Sequence, residues 1–372
     1  MVSATPALPP PAIEQPAPYQ ASFGLVTGLA PRGTKQVHVL VAGRELADKR
    51  LRGRRFSLRV PLPTGDVTVR VVTVAAKGRR SSAVVANVYG LPAEARPREV
   101  RARNDPILAR KLRSLLRRYS GSSAAYVQNL VEGGGAAWNA KARFPAASTL
   151  KLAIAAAVLI EHRGIPSPNS HVGSLLREMI VPSDDAAANA LLVWLAGSTS
   201  AGGQRVNTLM GSLGMEDSIM YGGYETTRSL SGPIPVRVDD QPSWGVGKYT
   251  TAADLARLHR AVWLAAAGKG PLGRGETGFT PADGRHLLWL LAHVRDTPKL
   301  DTTVTRSRDV AVLHKAGWIN AARHDAGLVF WRGGVFVVSV MTWRNWGVGH
   351  SSDTLAGRCA QVALDRFRSR PG

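Results

Sequence analysis

Three short groups of residues carry side chains able to perform nucleophilic chemistry, and they occur in a fixed order along the chain. The first is Ser148-Thr149-Leu150-Lys151, at the opening of an apolar stretch. Residues three apart on a helix share a face, so the lysine amine can reach the serine hydroxyl. A serine hydroxyl is a weak nucleophile until a base takes its proton, and lysine can be that base when burial or a neighbouring cation lowers its pKa. A helix N-terminus adds positive potential where negative charge develops. The same spacing also fits a serine helix cap followed by a surface lysine. The second group, Ser183-Asp184-Asp185, follows Pro182 and reads equally as a helix start capped by Ser183. The third, His314-Lys315-Ala316-Gly317-Trp318, ends an apolar strand and leads into a glycine turn. Each has an ordinary structural explanation. Their co-occurrence as Ser-x-x-Lys, Ser-Asp-x and Lys-x-Gly, on helix start, helix start and strand, is much harder to ascribe to chance.

The elements that must hold these groups follow from hydrophobic periodicity. Residues 106–119 read as an amphipathic helix with Ile107, Leu108, Leu112, Leu115 and Leu116 near one face, and residues 124–130 as a strand. Helical patterns cover residues 147–162, 172–181, 184–195, 251–266 and 285–294. Residues 150–160 are too short to span a bilayer and read as a buried core helix. Three apolar strands follow at 310–313, 326–331 and 335–342, with Gly333-Gly334 as the tight turn between the last two, and a helix at 353–367 closes the chain. The resulting fold class is α+β, an antiparallel sheet flanked by helices plus a helical part. Ahead of it, residues 21–91 read as a small all-β sandwich. There Phe56, Leu58, Val60 and Leu62 alternate with polar or proline positions, and Lys77-Gly78-Arg79-Arg80 forms a hairpin turn. Residues 1–20 read as a Pro-rich disordered lead and 92–104 as a basic linker, leaving 105–372 as the domain with the chemistry.

From residue 106 onward the sequence resembles the serine β-lactamases and penicillin-binding D,D-peptidases, the class A β-lactamases most closely. The three motifs carry this likeness. So does their context: Asp184-Asp185-Ala186-Ala187-Ala188-Asn189-Ala190-Leu191-Leu192, and Tyr249-Thr250-Thr251-Ala252-Ala253-Asp254-Leu255-Ala256. The β-rich front resembles bacterial immunoglobulin-like domains only loosely. The likeness implies that Ser148 is the acylated nucleophile, Lys151 its base or proton relay, and Ser183 the proton donor to the leaving nitrogen. It implies that Lys315 supplies positive potential for a substrate carboxylate, and that the backbone N–H groups of Ser148 and Trp318 form the oxyanion hole. No cofactor or metal is implied. The chain departs from the family pattern in four ways. Asp185 stands where an amide is usual and Ala316 where a hydroxyl is usual. The gap between Lys151 and Ser183 is short, so a loop rimming the site is missing. Glu225, in Tyr221-Gly222-Gly223-Tyr224-Glu225, is the positional candidate for the deacylating base, but the Leu-Asn usual downstream is absent. Acylation is thus the complete half of the chemistry, and release of the acyl group the incomplete half.

Composition frames the partners. The 372 residues carry 48 Lys and Arg against 26 Asp and Glu, a formal net charge of +22. That charge suits nucleic acid, an anionic membrane surface or an anionic wall polymer. Arginines cluster from Arg96 to Arg118; they fit either a solvated face or contact with an anionic cell-wall polymer. The single cysteine, Cys359, excludes an intramolecular disulfide and reads as a small core residue. No signal peptide is visible in the first residues. The resemblance nonetheless implies an extracytoplasmic setting, with a β-lactam or a peptidoglycan stem peptide as small-molecule partner. A non-catalytic wall-binding or sensor protein on the same fold ranks second. Polyanion binding through charge alone, nucleic acid included, ranks third.

Overall fold

The computed structural model describes residues 7–224, 232–238, 240–274, 277–296, 299–305 and 309–369. Two compact units emerge, Met1–Arg96 and Pro97–Gly372. The first is all β: β1 (Ala12–Gln15), β2 (Gln20–Ser22), β3 (Leu25–Leu29), β4 (Thr34–Val41), β5 (Arg44–Arg50), β6 (Arg55–Arg59), β7 (Gly65–Ala75) and β8 (Arg80–Gly90). Three strands in the order β1-β3-β6 and five in the order β2-β8-β7-β4-β5 enclose one core. The alternation expected at Phe56, Leu58, Val60 and Leu62 is the core face, meeting Val37, Val39, Val69 and Val71 of the other sheet. Burying each of these side chains stabilises the unit by ~1.5–3 kcal/mol. Edge strand β5 is lined with Arg44, Glu45, Asp48, Lys49 and Arg50, charges that discourage pairing with another chain.

The expectation of a disordered lead over residues 1–20 needs correction. Ala12–Gln15 is a strand paired with β3, and Ile13 packs against the core. Prolines flank this segment without entering it, and Ile13 gives it one apolar anchor. The linker expected at 92–104 likewise ends in a strand of the second unit.

That unit runs β9 (Arg103–Asn104), α1 (Pro106–Leu116), β10 (Ser122–Asn129), β11 (Gly134–Trp138), β12 (Phe144–Pro145), α2 (Lys151–His162), α3 (His171–Ile180), α4 (Asp185–Ala196) and α5 (Thr199–Ser212). It continues through β13 (Tyr249–Thr250), α6 (Ala252–Ala265), α7 (Gly270–Gly273), α8 (Pro281–Ala292), α9 (Asp301–Val304), β14 (Ala311–Ile319), β15 (Ala322–Trp331), β16 (Gly334–Trp343) and α10 (His350–Arg368). The main sheet has the order β14-β15-β16-β10-β11-β9, antiparallel except for the β11–β9 pair. Strand β16 is buried at every position, so both sheet faces are covered. Helices α1 and α10 cover one face. Leu108, Leu112 and Leu116 pack there with Leu355, Cys359, Ala363 and Phe367, whereas Ile107 is exposed. Asp105 caps α1 and also accepts from Arg366 of α10, tying the two helices together. Helix α6 packs on β10, β15 and β16 from the other side.

Beside the sheet lies a helical layer. Helix α2 is buried from Lys151 to Leu159, apolar all round, and it is surrounded by α3, α4, α5 and α8. The site lies where the start of α2, the loop entering α4 and edge strand β14 converge.

Candidate active site

Several elements fix the Ser148 segment from outside. Phe144 and Pro145 pair with Thr250 and Tyr249, and Ala146 N donates to Lys248 O at 2.8 Å. The ring of His324, on β15, reaches Pro145 O through Nε2 at 2.8 Å, while Thr342 N donates to its Nδ1. Those two bonds set the tautomer with the proton on Nε2. Burial pushes the pKa of His324 down to about 4, so it stays neutral and serves as a strut. Ala147 then takes a left-handed φ of 46° to start the 3₁₀ turn Ala147–Leu150, which runs into α2. A non-glycine residue in that region costs on the order of 1–3 kcal/mol, strain that concentrates at functional sites. Ser148 is not a cap: no side-chain bond caps either this turn or α2, and the residue is half-buried.

Lys151 is no surface lysine. It is fully buried, and its ammonium donates to Ser183 O at 2.6 Å and to Asp185 Oδ1 at 2.5 Å, with Ser183 Oγ at 3.4 Å. Burial lowers its pKa, and the hydrogen bond and charge of Asp185 partly restore it. Ser183 is the second strained residue, at φ 65°. The cap of α4 is Asp184, whose carboxylate accepts from Ala187 N at 2.6 Å. Ser183 is therefore free of the capping role it could have had, and its hydroxyl accepts from Lys315 Nζ at 2.8 Å.

Lys315 is also fully buried, and its ammonium donates to Ala316 O as well as to Ser183. Burial, then repulsion by Lys151, depresses its pKa to about 7. Strand β14 has β15 on one side only, and its open edge abuts the Ser148 turn. A methyl group at Gly317 would lie 2.6 Å from Ser148 N and 2.8 Å from Thr149 N, so only glycine lets the strand come this close. Ala316 is buried and supplies no hydroxyl, while Trp318 is 58% exposed at the rim.

Of the residues singled out in the sequence, the structure brings together Ser148, Lys151, Ser183, Asp185, Lys315, Ala316 and Gly317, with Trp318 beyond them on β14. Glu225 lies outside the described residues. What faces Lys151 from that side is Tyr224, whose ring centre is 4.8 Å from the Lys151 ammonium and 4.9 Å from that of Lys248. Asn189 holds this residue by both backbone groups: Tyr224 N donates to Asn189 Oδ1 at 2.6 Å, and Asn189 Nδ2 donates to Tyr224 O at 3.2 Å. A Cβ on Gly223 would sit 2.4 Å from Asn189 Oδ1, so the clamp needs glycine there. The Tyr224 hydroxyl is buried without a hydrogen-bond partner among the described residues. Burial, then the Asp185 charge, pushes its pKa well up. Neither Tyr224 nor His324 was evident in the sequence, although the asparagine that clamps Tyr224 lay within a recognised segment. His314, next to Lys315, is bound to Asp325 at 2.8 Å; burial alone would lower its pKa, but the carboxylate raises it.

Two buried lysines, two serines and a strand edge against a helix start thus converge in one place. The profile of the beta-lactamase enzyme family matches residues 106–163 and 166–367, and the chain belongs to that family. No curated protein sequence matches it. Among solved structures it is similar to a mutant of PBP-A captured as its acyl-enzyme complex with penicillin G. The TM-score is 0.58 at 19% identity, over 73% of this chain and 100% of that one. An ancestral class A β-lactamase, GNCA, aligns at 20% identity and TM-score 0.55, over 70% of this chain and 100% of that one. A β-lactamase from Sphaerobacter thermophilus aligns at 20% and 0.52, over 71% and 97%. These structures establish the fold of the second unit.

Proposed function

We propose that the second unit is a serine acyl-transfer enzyme that β-lactams or D-alanyl peptides acylate at Ser148, and that it releases the acyl group slowly. The observation that carries this reading is the convergence of Lys151 and Lys315 on Ser183, at 2.6 Å to its carbonyl and 2.8 Å to its hydroxyl, beside the Ser148 turn.

In the acylation step, neutral Lys151 takes the Ser148 proton as Oγ bonds to the substrate carbonyl carbon. The backbone N–H groups of Ser148 and Trp318 face the oxygen that gains charge. Ser183 hands a proton to the leaving nitrogen as the amide bond breaks, and Lys315 re-supplies it or attracts the substrate carboxylate. Burial lowers both amine pKa values, which favours a lysine base. Release needs a positioned water and a base. Tyr224, with its raised pKa, offers neither a carboxylate nor a ready phenolate. The same reading has the enzyme working outside the cytoplasm, where substrates of this kind are met.

The Lys151–Asp185 ion pair favours a second reading, a protein that binds wall fragments without being acylated, because the carboxylate works against the neutral amine that burial favours. Intact-mass measurement after incubation with penicillin G separates the two. The enzyme gains one penicillin mass that persists, and Ser148→Ala gains none. An unmodified wild-type protein would remove the acylation reading.

A further inference from the structure

We propose that the face formed by the end of α1 and the start of α10 binds a linear polyol-phosphate chain. This face belongs to the second unit alone, and the inference does not depend on acylation at Ser148.

Two clefts, of about 520 and 380 Å³, share Tyr119 in their linings, so they flank a single residue. Arg117 lines the larger, and Arg118, Arg344 and Arg358 line the smaller. None of the four has a carboxylate within ion-pair distance among the described residues, although this chain pairs many of its other arginines. Asp240 is the one carboxylate among the described residues lining either cleft. The Nε of Arg344 is buried and has no hydrogen-bond partner among the described residues. Guanidinium groups bind anions through charge-assisted hydrogen bonds, and arginines without a carboxylate partner leave that capacity open. Hydroxyls of Ser122, Ser351 and Thr354 line the same clefts, as donors and acceptors for a polyol.

The aromatic groups decide between kinds of phosphodiester. Single-stranded nucleic acid is held by bases stacked on open rings. Here the Arg344 guanidinium lies 4.2 Å from the Tyr119 ring centre, and those of Arg117 and Arg113 lie 5.4 and 5.9 Å from that of Trp138. Both rings are engaged in presenting arginines. Charge and hydroxyls are what remain for a ligand, and they suit a backbone of phosphates and alcohols without bases.

The test uses the full chain and fluorescently labelled glycerol-phosphate oligomers, read by anisotropy across a salt series. Contact with about three or four phosphates predicts a log–log salt slope of about −2 to −3. The double variant Arg118→Glu and Arg358→Glu, both exposed positions, should weaken binding by about tenfold or more. Arg52→Glu, an exposed charge reversal in the first unit, should change it less than about twofold. Penicillin labelling of Ser148 should be the same in the wild type and both variants. Absence of binding, or equal losses in the groove and control variants, overturns the proposal. So does a single-stranded oligonucleotide of equal phosphate count that binds as tightly as the polyol phosphate.

Discussion

The start of α2 and the loop ending at Tyr224 approach the same amine, Lys151, from different sides. On the α2 side the two buried lysines are bonded: Lys151 to Ser183 O and Asp185, and Lys315 to Ser183 Oγ, with Gly317 close against Ser148 N. On the loop side an aromatic ring lies against the ammonium, and its hydroxyl bonds to nothing among the described residues. In the proposed mechanism the first arrangement moves protons, while the second fills space and holds a cation. Acyl transfer needs both a way in and a way out, and the proposed function has these built unequally.

The comparison is sharpened most by giving the loop side a base. Tyr224→Glu puts a carboxylate at a backbone position that Asn189 already fixes. We expect the acyl-enzyme to hydrolyse about a hundredfold faster, the lower range for general-base catalysis. Tyr224→Phe should leave release unchanged, because the phenol of Tyr224 is held protonated. Single-turnover decay of the penicilloyl adduct, followed by mass, measures both. Rapid release by the wild type, or a Tyr224→Phe variant that holds the adduct longer, would show that the loop side already carries the base.

A smaller change is expected on the α2 side. Asp185 acts on Lys151 only in the direction of a raised pKa. Asp185→Asn therefore lowers that pKa further and enlarges the neutral fraction of the amine. Acylation at neutral pH should speed up by about tenfold for each pKa unit. A stopped-flow measurement of penicillin acylation that finds the variant slower would mean that Asp185 positions Lys151 more than it restrains it.

How legible this inequality was in the sequence varies by residue. The three motifs pointed to the correct segments because residue type and spacing are local properties. Which side chain does what was not local. Ser183 and Asp184 are both good caps, and only the backbone at φ 65° assigns the cap to Asp184 and frees Ser183. Tyr224 sits in an irregular segment that offers no period from which to tell that its side chain faces Lys151; its place is set by the Asn189 clamp, 35 residues away. Helix α5 escaped notice because Gly202 and Gly203 are poor helix formers. At Gly202 the glycine serves contact with α4, since a Cβ would meet Leu192 O at 2.2 Å. The sandwich core was easier to read, because strand alternation records burial directly, and only the short proline-flanked β1 was lost.

The most modest effect concerns Lys315. With a folded pKa near 7, it is charged below that value and neutral above it. If its charge draws in a substrate carboxylate, the second-order acylation constant of the free enzyme should fall as pH rises through about 7. The loss is about fivefold, from ~1 kcal/mol for an ion pair open to water. A penicillin methyl ester, lacking the carboxylate, should show no such fall. The same shift sets a stability trend of known sign. Below about 7 the lysine is protonated in both the folded and unfolded chains, and its burial cost is carried in full. Between about 7 and 10.5 only the unfolded chain holds the proton, so this group's contribution to stability rises with pH. Lys315→Met removes the charge at nearly the same volume, and should flatten both the acylation limb and the stability rise. A variant that loses one and keeps the other would separate the lysine's work on substrate from its burial beside Lys151.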